Sequence, residues 1–188
     1  MNDASSSPRG RKPPLYGTRL ADWLARRRVA LGFVAAFATL ILAKPTWEAW
    51  RAGLLVALVG EAMRVWAAGH LEKGREVTRS GPYRWTSHPL YVGSSILALG
   101  VVIAARSVPV ALLAALYMGS TITAAVRAEE AFLRRTFGDT YDRYQRSEGE
   151  PMVRRFSVER AIRNREYRAV VGLIIGFGLL ALKVLLPI

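Results

Sequence analysis

Two very short joints, Lys44-Pro45-Thr46 and Arg106-Ser107, each set between long apolar runs, constrain this chain more than any other feature. A joint of two or three residues can only fold one helix back beside the next. Val29 to Ala43 with Trp47 to Ala68, and Pro89 to Ala105 with Val108 to Val126, are therefore predicted as two antiparallel hairpins returning to the same side. Ala169 to Ile188 makes a fifth apolar run. With 52% apolar residues in a chain of 188, the expected fold is all-α: a single polytopic membrane domain of about five transmembrane helices. The second run carries Glu48, Arg51, Glu61 and Arg64, and the last two, three apart, can pair on one helix face.

Charge orients this arrangement. Of 27 Lys and Arg, 7 precede residue 29, 4 lie between residues 69 and 88, and 11 between residues 127 and 168, whereas the opposite turns carry only Lys44 and Arg106. Cytoplasmic segments collect positive charge, so the three large polar segments are expected inside. The N-terminus is then cytoplasmic and the C-terminus outside, with Lys183 snorkelling outward; in a bacterium the membrane would be the inner one. Residues 1–28 read as a basic cytoplasmic arm, disordered over Met1 to Pro14, and residues 29–188 as the membrane domain. No apolar core resembling a cleavable signal adjoins the arm.

A net charge of +13 raises the question of nucleic acid, but the arginines flank apolar helices and show no recognition pattern. Anionic lipid headgroups are the expected neighbours, Arg154 and Arg155 among the charges facing them. Without cysteine the chain has no disulfide and no thiolate. His70 and His88 are its only histidines, with no further ligands at zinc spacing, so no metal is expected.

Chemistry concentrates in Gly81-Pro-Tyr-Arg-Trp-Thr-Ser-His-Pro-Leu-Tyr-Val-Gly93. Pro89 lacks an amide hydrogen and suits the first helical position, with His88 or Ser87 as cap. The free amides of that first turn favour a carboxylate or phosphate, and Tyr83, Trp85 and Tyr91 offer π-faces for a cation. One helical hairpin later, Glu129 and Glu130 stand where the helix leaves the bilayer. An amphipathic stripe of Phe132, Leu133 and Phe137 follows, ended by Gly138, with Tyr141 and Tyr144 in the next turn. Because both hairpins return to one side, the Glu pair and the His88 region can meet. A carboxylate beside an aromatic box suits an ammonium or sulfonium.

The run G-x-Y-x-W-x-x-H-P-x-Y-x-G followed by E-E-x-x-L-x-x-x-F-G-x-x-Y-x-x-Y resembles the isoprenylcysteine carboxyl methyltransferase family, which is related to the membrane phospholipid methyltransferases. The resemblance covers residues 70–152. It implies S-adenosylmethionine in a pocket open to the cytoplasm and a lipophilic or lipidated acceptor entering from the bilayer. It carries cofactor contact over to Tyr83, His88, Pro89, Leu90 and Tyr91, the methionine ammonium to Glu129, and a cofactor-lining backbone to Arg75, Glu76, Val77 and Thr78. Trp85 and Arg127 are the candidates for contact with the acceptor. Where the family usually has arginine before the His-Pro pair this chain has Ser87, and where eukaryotic members have arginine one turn before the glutamate it has Ala125.

Methyl transfer from a sulfonium needs alignment and exclusion of water more than acid or base. A carboxylate acceptor, the leading expectation, needs no base. For an amine, as in a phospholipid N-methyltransferase, Glu130 or His88 would take the proton. Two other readings stay open from the residues: a nicotinamide-dependent reductase of sterol type, which shares a His-Pro-x-Tyr segment, and a non-catalytic membrane scaffold.

Overall fold

The computed structural model describes residues 19–148 and 152–186, with side chains from residue 30 onward. The arm over Met1 to Pro14 and the terminal Ile188 lie outside the described residues. Among those described there are seven α-helices, one 3-10 turn and no strand: α1 (Arg19–Leu42), α2 (Trp47–Ala68), the 3-10 turn (Gly81–Arg84), α3 (Pro89–Ala105), α4 (Val108–Phe137), α5 (Asp139–Gln145), α6 (Val158–Arg163) and α7 (Tyr167–Leu185). The first helix begins ten residues before the expected Val29, so Arg26 to Arg28 of the basic arm belong to α1.

Among the described residues two helices, α4 and α7, are long and apolar enough to cross a membrane, where the sequence suggested five. The others fall short for separable reasons: α3 has only 17 residues, α2 carries its four charges, and Arg26 to Arg28 interrupt the sequence of α1. At about 1.5 Å per residue, the 30 residues of α4 extend ~45 Å, half as much again as a hydrocarbon core of ~30 Å. The segment bearing Glu129 and Glu130 is thus the end of α4 itself and not a separate amphipathic helix. Only 6% of the apolar window in α4 is buried inside the protein. An apolar helix so exposed is at home in lipid, and Phe33 and Leu116, 75% and 74% exposed, agree.

The two joints do lie together, since the Lys44 amide donates to the Ala105 carbonyl at 2.7 Å. Lys183 near the end of α7 donates to the carbonyls of Leu40 and Ile41, at 2.7 and 2.8 Å, so it caps α1 instead of reaching away. The first turn of α3 and the far end of α4 consequently share the opposite end of the molecule.

The helices joined within each expected hairpin are not the closest neighbours in space. The tightest packing joins α2 to α3, while α1 rests mainly on α4. Along the α2–α3 seam, Gly53, Ala57 and Gly60 face Gly93, Leu97, Gly100 and Ala104. A Cβ on Gly60 would meet the Leu97 amide and, at 2.7 Å, the Gly93 carbonyl; one on Gly100 would lie 2.5 Å from the Gly53 carbonyl. Small residues at this spacing let two backbones touch, the usual source of helix association where lipid removes the hydrophobic drive. Gly119, in contrast, has nothing within 4 Å of a notional Cβ.

Gly60→Ala should destabilise the detergent-solubilised protein by about 1–3 kcal/mol, as overpacking does, whereas Gly119→Ala should be neutral or slightly stabilising. Thermal unfolding of the two variants checks this; equal midpoints would refute the seam.

Candidate functional site

Three pieces of chain converge at the end opposite the joints: the loop of residues 71–78, the 3-10 turn with the start of α3, and the end of α4 with α5. Between them lies an open cleft of about 310 Å³, at the small end of ligand pockets. Glu76, Val77, Thr78, Tyr83, His88, Pro89, Leu90, Tyr91 and Glu129 line it, as the sequence suggested. Leu71, Lys73, Gly74, Ser87, Ala125, Ala128, Phe132, Leu133 and Tyr144 line it too. Four expected residues do not. Arg75 is turned toward Glu72 at 3.9 Å; Trp85 stands 76% exposed, edge-on to Trp66; Arg127 is exposed on α4; and Glu130 lies behind His88.

His88 occupies the N-cap position of α3, but its side chain makes no capping bond. The ring turns instead to α4, placing Nδ1 3.8 Å from Glu129 Oε2 and Nε2 3.3 Å from Glu130 Oε1. Pro89 at the first helical position fixes the local φ and needs no amide acceptor, which leaves the His88 side chain without a duty to the helix. Nδ1 is buried with no hydrogen-bond partner, an atom whose desolvation a bound polar group would offset. Tyr91, one turn on, stacks obliquely at 5.7 Å from the His88 ring.

Tyr144 ties α5 to the 3-10 turn: its hydroxyl donates to the Tyr83 carbonyl at 2.8 Å. Burial, reinforced by the Glu129 carboxylate, pushes the Tyr83 phenol far above its ordinary range. Tyr83 is therefore a neutral donor beside the cleft at any working pH. Burial likewise raises Tyr144, against the opposing effects of Ser87 and Arg79.

The loop is held from behind by the segment before α7. Arg154 binds Glu76 through both amino groups, at 2.6 and 2.8 Å, and donates to the His70 carbonyl at 3.2 Å. It is a partner of the loop and not a charge facing lipid. Arg160 Nε and Arg163 both reach Glu72 Oε1 at 2.9 Å. Burial would raise the Glu72 carboxyl, but these guanidiniums outweigh it and hold it below the usual carboxylate range. Asn164 donates to the carbonyls of Ala68 and Leu71, at 2.8 and 2.9 Å, closing the end of α2. No periodicity announces these contacts, because they join residues some ninety positions apart.

A second, more open groove, lined by Gly32, Tyr91, Ser94, Tyr117, Met118, Thr121, Ile122 and Ala125, meets the cleft at Tyr91 and Ala125. Beyond Ser94, Arg64 pairs with Glu166 at 2.7 Å and Glu61 at 3.6 Å, and also bonds Ser94, so this charge inside α2 is compensated.

The sequence pattern of the phospholipid methyltransferases matches residues 53–140, from the α2–α3 seam to the start of α5. The cobalt-zinc-cadmium resistance protein CzcN of Cupriavidus metallidurans is 30% identical over 149 residues, 73% of this chain and 68% of that protein. The nickel-cobalt-cadmium resistance protein NccN of Alcaligenes xylosoxydans xylosoxydans is 29% identical over 139 residues, 68% of this chain and 65% of that protein. No solved structure matches. The chain belongs to the phospholipid methyltransferase family, within the isoprenylcysteine carboxyl methyltransferase-like superfamily.

Proposed function

We propose that this protein is an integral membrane methyltransferase that binds S-adenosylmethionine in the cleft and methylates a lipophilic acceptor. The observation that carries this reading is the convergence of His88, Glu129 and the Tyr83–Tyr91 stretch on one cleft within the family-matched segment. The donor set suits the cofactor: a partly exposed carboxylate for its ammonium, an orphaned ring nitrogen for a polar group, and aromatic and aliphatic walls for its nucleoside. When bound, S-adenosylmethionine supplies an electrophilic methyl group.

The chain's own residues then have distinct tasks. Glu129 takes the ammonium, and Val77, Phe132 and Leu133 keep water from the reacting centre. The groove meeting the cleft at Tyr91 and Ala125 offers a lipid-side path for the acceptor. A carboxylate acceptor needs no base and is the preferred class. The contact of His88 Nε2 with Glu130 favours an amine as the second reading, since the pair would accept and hold its proton. The excess of Lys and Arg in the loops at the cleft end supports a cytoplasmic cleft, with the joints on the outer face of the membrane.

Four outcomes are expected. Glu129→Gln should weaken S-adenosylmethionine binding roughly tenfold or more, the worth of a charge-assisted contact, without shifting thermal stability. Calorimetry on the full chain in detergent, run also with NADPH, reads this; unchanged affinity would remove Glu129, and tighter NADPH binding would favour a reductase.

Since the His88 side chain caps nothing, His88→Asn and His88→Ala should both lose methyl transfer while costing little stability. Full activity in His88→Asn would return the residue to a structural role. Glu130→Gln should slow turnover only if the acceptor is an amine, so its kcat separates the two acceptor classes.

For sidedness, the cysteine-free chain allows single probes. Arg75→Cys, 74% exposed in its side chain, should label only from the cytoplasm, and Lys44→Cys only from outside. The reverse pattern would invert the topology.

A further inference from the structure

The charges around the cleft reduce to a simple account once internal partners are removed. Its charged lining side chains are Lys73, Glu76, His88 and Glu129. Both oxygens of Glu76 are engaged by Arg154, and Thr78 Oγ1 donates to one of them at 3.4 Å. Glu72, the other carboxylate of the same loop, is covered by Arg160 and Arg163. Neither can therefore turn to a ligand without breaking the strap that holds the loop.

Two charges of the lining are left over, one on the loop and one on α4. Glu129 has only the long contact from His88 and is 38% exposed in its side chain. Lys73 is the one lysine or arginine among the lining residues, and among the described residues no carboxylate lies within ion-pair distance of it. It stands in a tight turn fixed on both sides. The Arg75 amide donates to the Glu72 carbonyl at 3.2 Å, the Glu72 amide to Thr78 Oγ1 at 3.2 Å, and Gly74 takes a left-handed φ of 72°. One free anion and one free cation lining the same cleft complement a zwitterion. A dinucleotide's phosphates would meet a single cation and face Glu129.

We infer that Lys73 receives the carboxylate of the ligand's amino-acid end while Glu129 holds its ammonium, an assignment that rests on the S-adenosylmethionine reading. Lys73 is thus a cofactor-binding residue, and the pair fixes the amino-acid end so that the sulfonium is presented toward the groove at Tyr91 and Ala125. The strap from Arg154 to Arg163 neutralises the loop's own carboxylates and leaves the Lys73 ammonium for the ligand.

The test compares two probes on the full chain in detergent: S-adenosylhomocysteine, which has both charges, and decarboxylated S-adenosylmethionine, which keeps the ammonium and lacks the carboxylate. Lys73→Met should lose about five- to tenfold in affinity for the first, between the worth of an exposed ion pair and a charge-assisted hydrogen bond, and nothing for the second. Lys73→Arg should restore most of the loss. Equal losses for both probes, or none for either, would overturn the assignment while leaving the nucleoside reading in place. Failure of the unaltered protein to bind S-adenosylhomocysteine would instead overturn that reading, and Lys73 with it.

Discussion

The backbone contact between α2 and α3 is the constraint on which the remaining geometry depends. Gly53, Ala57 and Gly60 against Gly93, Gly100 and Ala104 bring two helices to a separation that side chains would forbid. Because α3 begins at His88-Pro89 and α2 ends at the loop of residues 69–80, this seam sets how far the loop stands from the first turn of α3. It also places Gly93 against Arg64, so the guanidinium can bend over α3 to Ser94 and across to Glu166 at the head of α7. A charge that would be costly alone in lipid becomes a three-helix tie.

The site is then assembled from both sides of that seam. On one side, Arg154, Arg160 and Arg163 hold the loop through Glu72 and Glu76. On the other, Tyr144 fastens α5 to the 3-10 turn, and Glu129 and Glu130 bracket the His88 ring. Hydrophobic packing supplies little of this precision, since only 6% of the apolar window of α4 is buried inside the protein. Charge-assisted hydrogen bonds with fixed geometry supply it. The result is a cleft bearing charged and aromatic side chains at the end of an apolar bundle, beside a second, more open groove.

Membership of a methyltransferase family sits comfortably with such a site, because the reaction asks for alignment and dryness more than for strong acids or bases. The resistance proteins that share the sequence are named for cobalt, zinc, cadmium and nickel. The cleft brings Glu129, Tyr83 and His88 onto one lining.

How far the sequence reaches depends on the range of each interaction. Helical periodicity, the two short joints and the Pro89 start are local, so the all-helical fold, the shared end of the hairpins and the convergence of His88 with Glu129 were legible from residues alone. The adjacency of Tyr83, Pro89, Leu90 and Tyr91 in one turn was legible for the same reason. The apolar runs overstated the number of clean spanning helices, because α3 is too short and α2 carries four charges; no window along one helix reveals that Arg64 among them is tied to Glu166 and Ser94 across helices. The direction of the His88 ring, the exclusion of Trp85 and Arg127 from the cleft, and the capture of Glu72 and Glu76 by distant arginines were decided only by tertiary structure. A side chain's partner across ninety residues is fixed by how the helices pack, and the one-dimensional pattern carries no record of that choice.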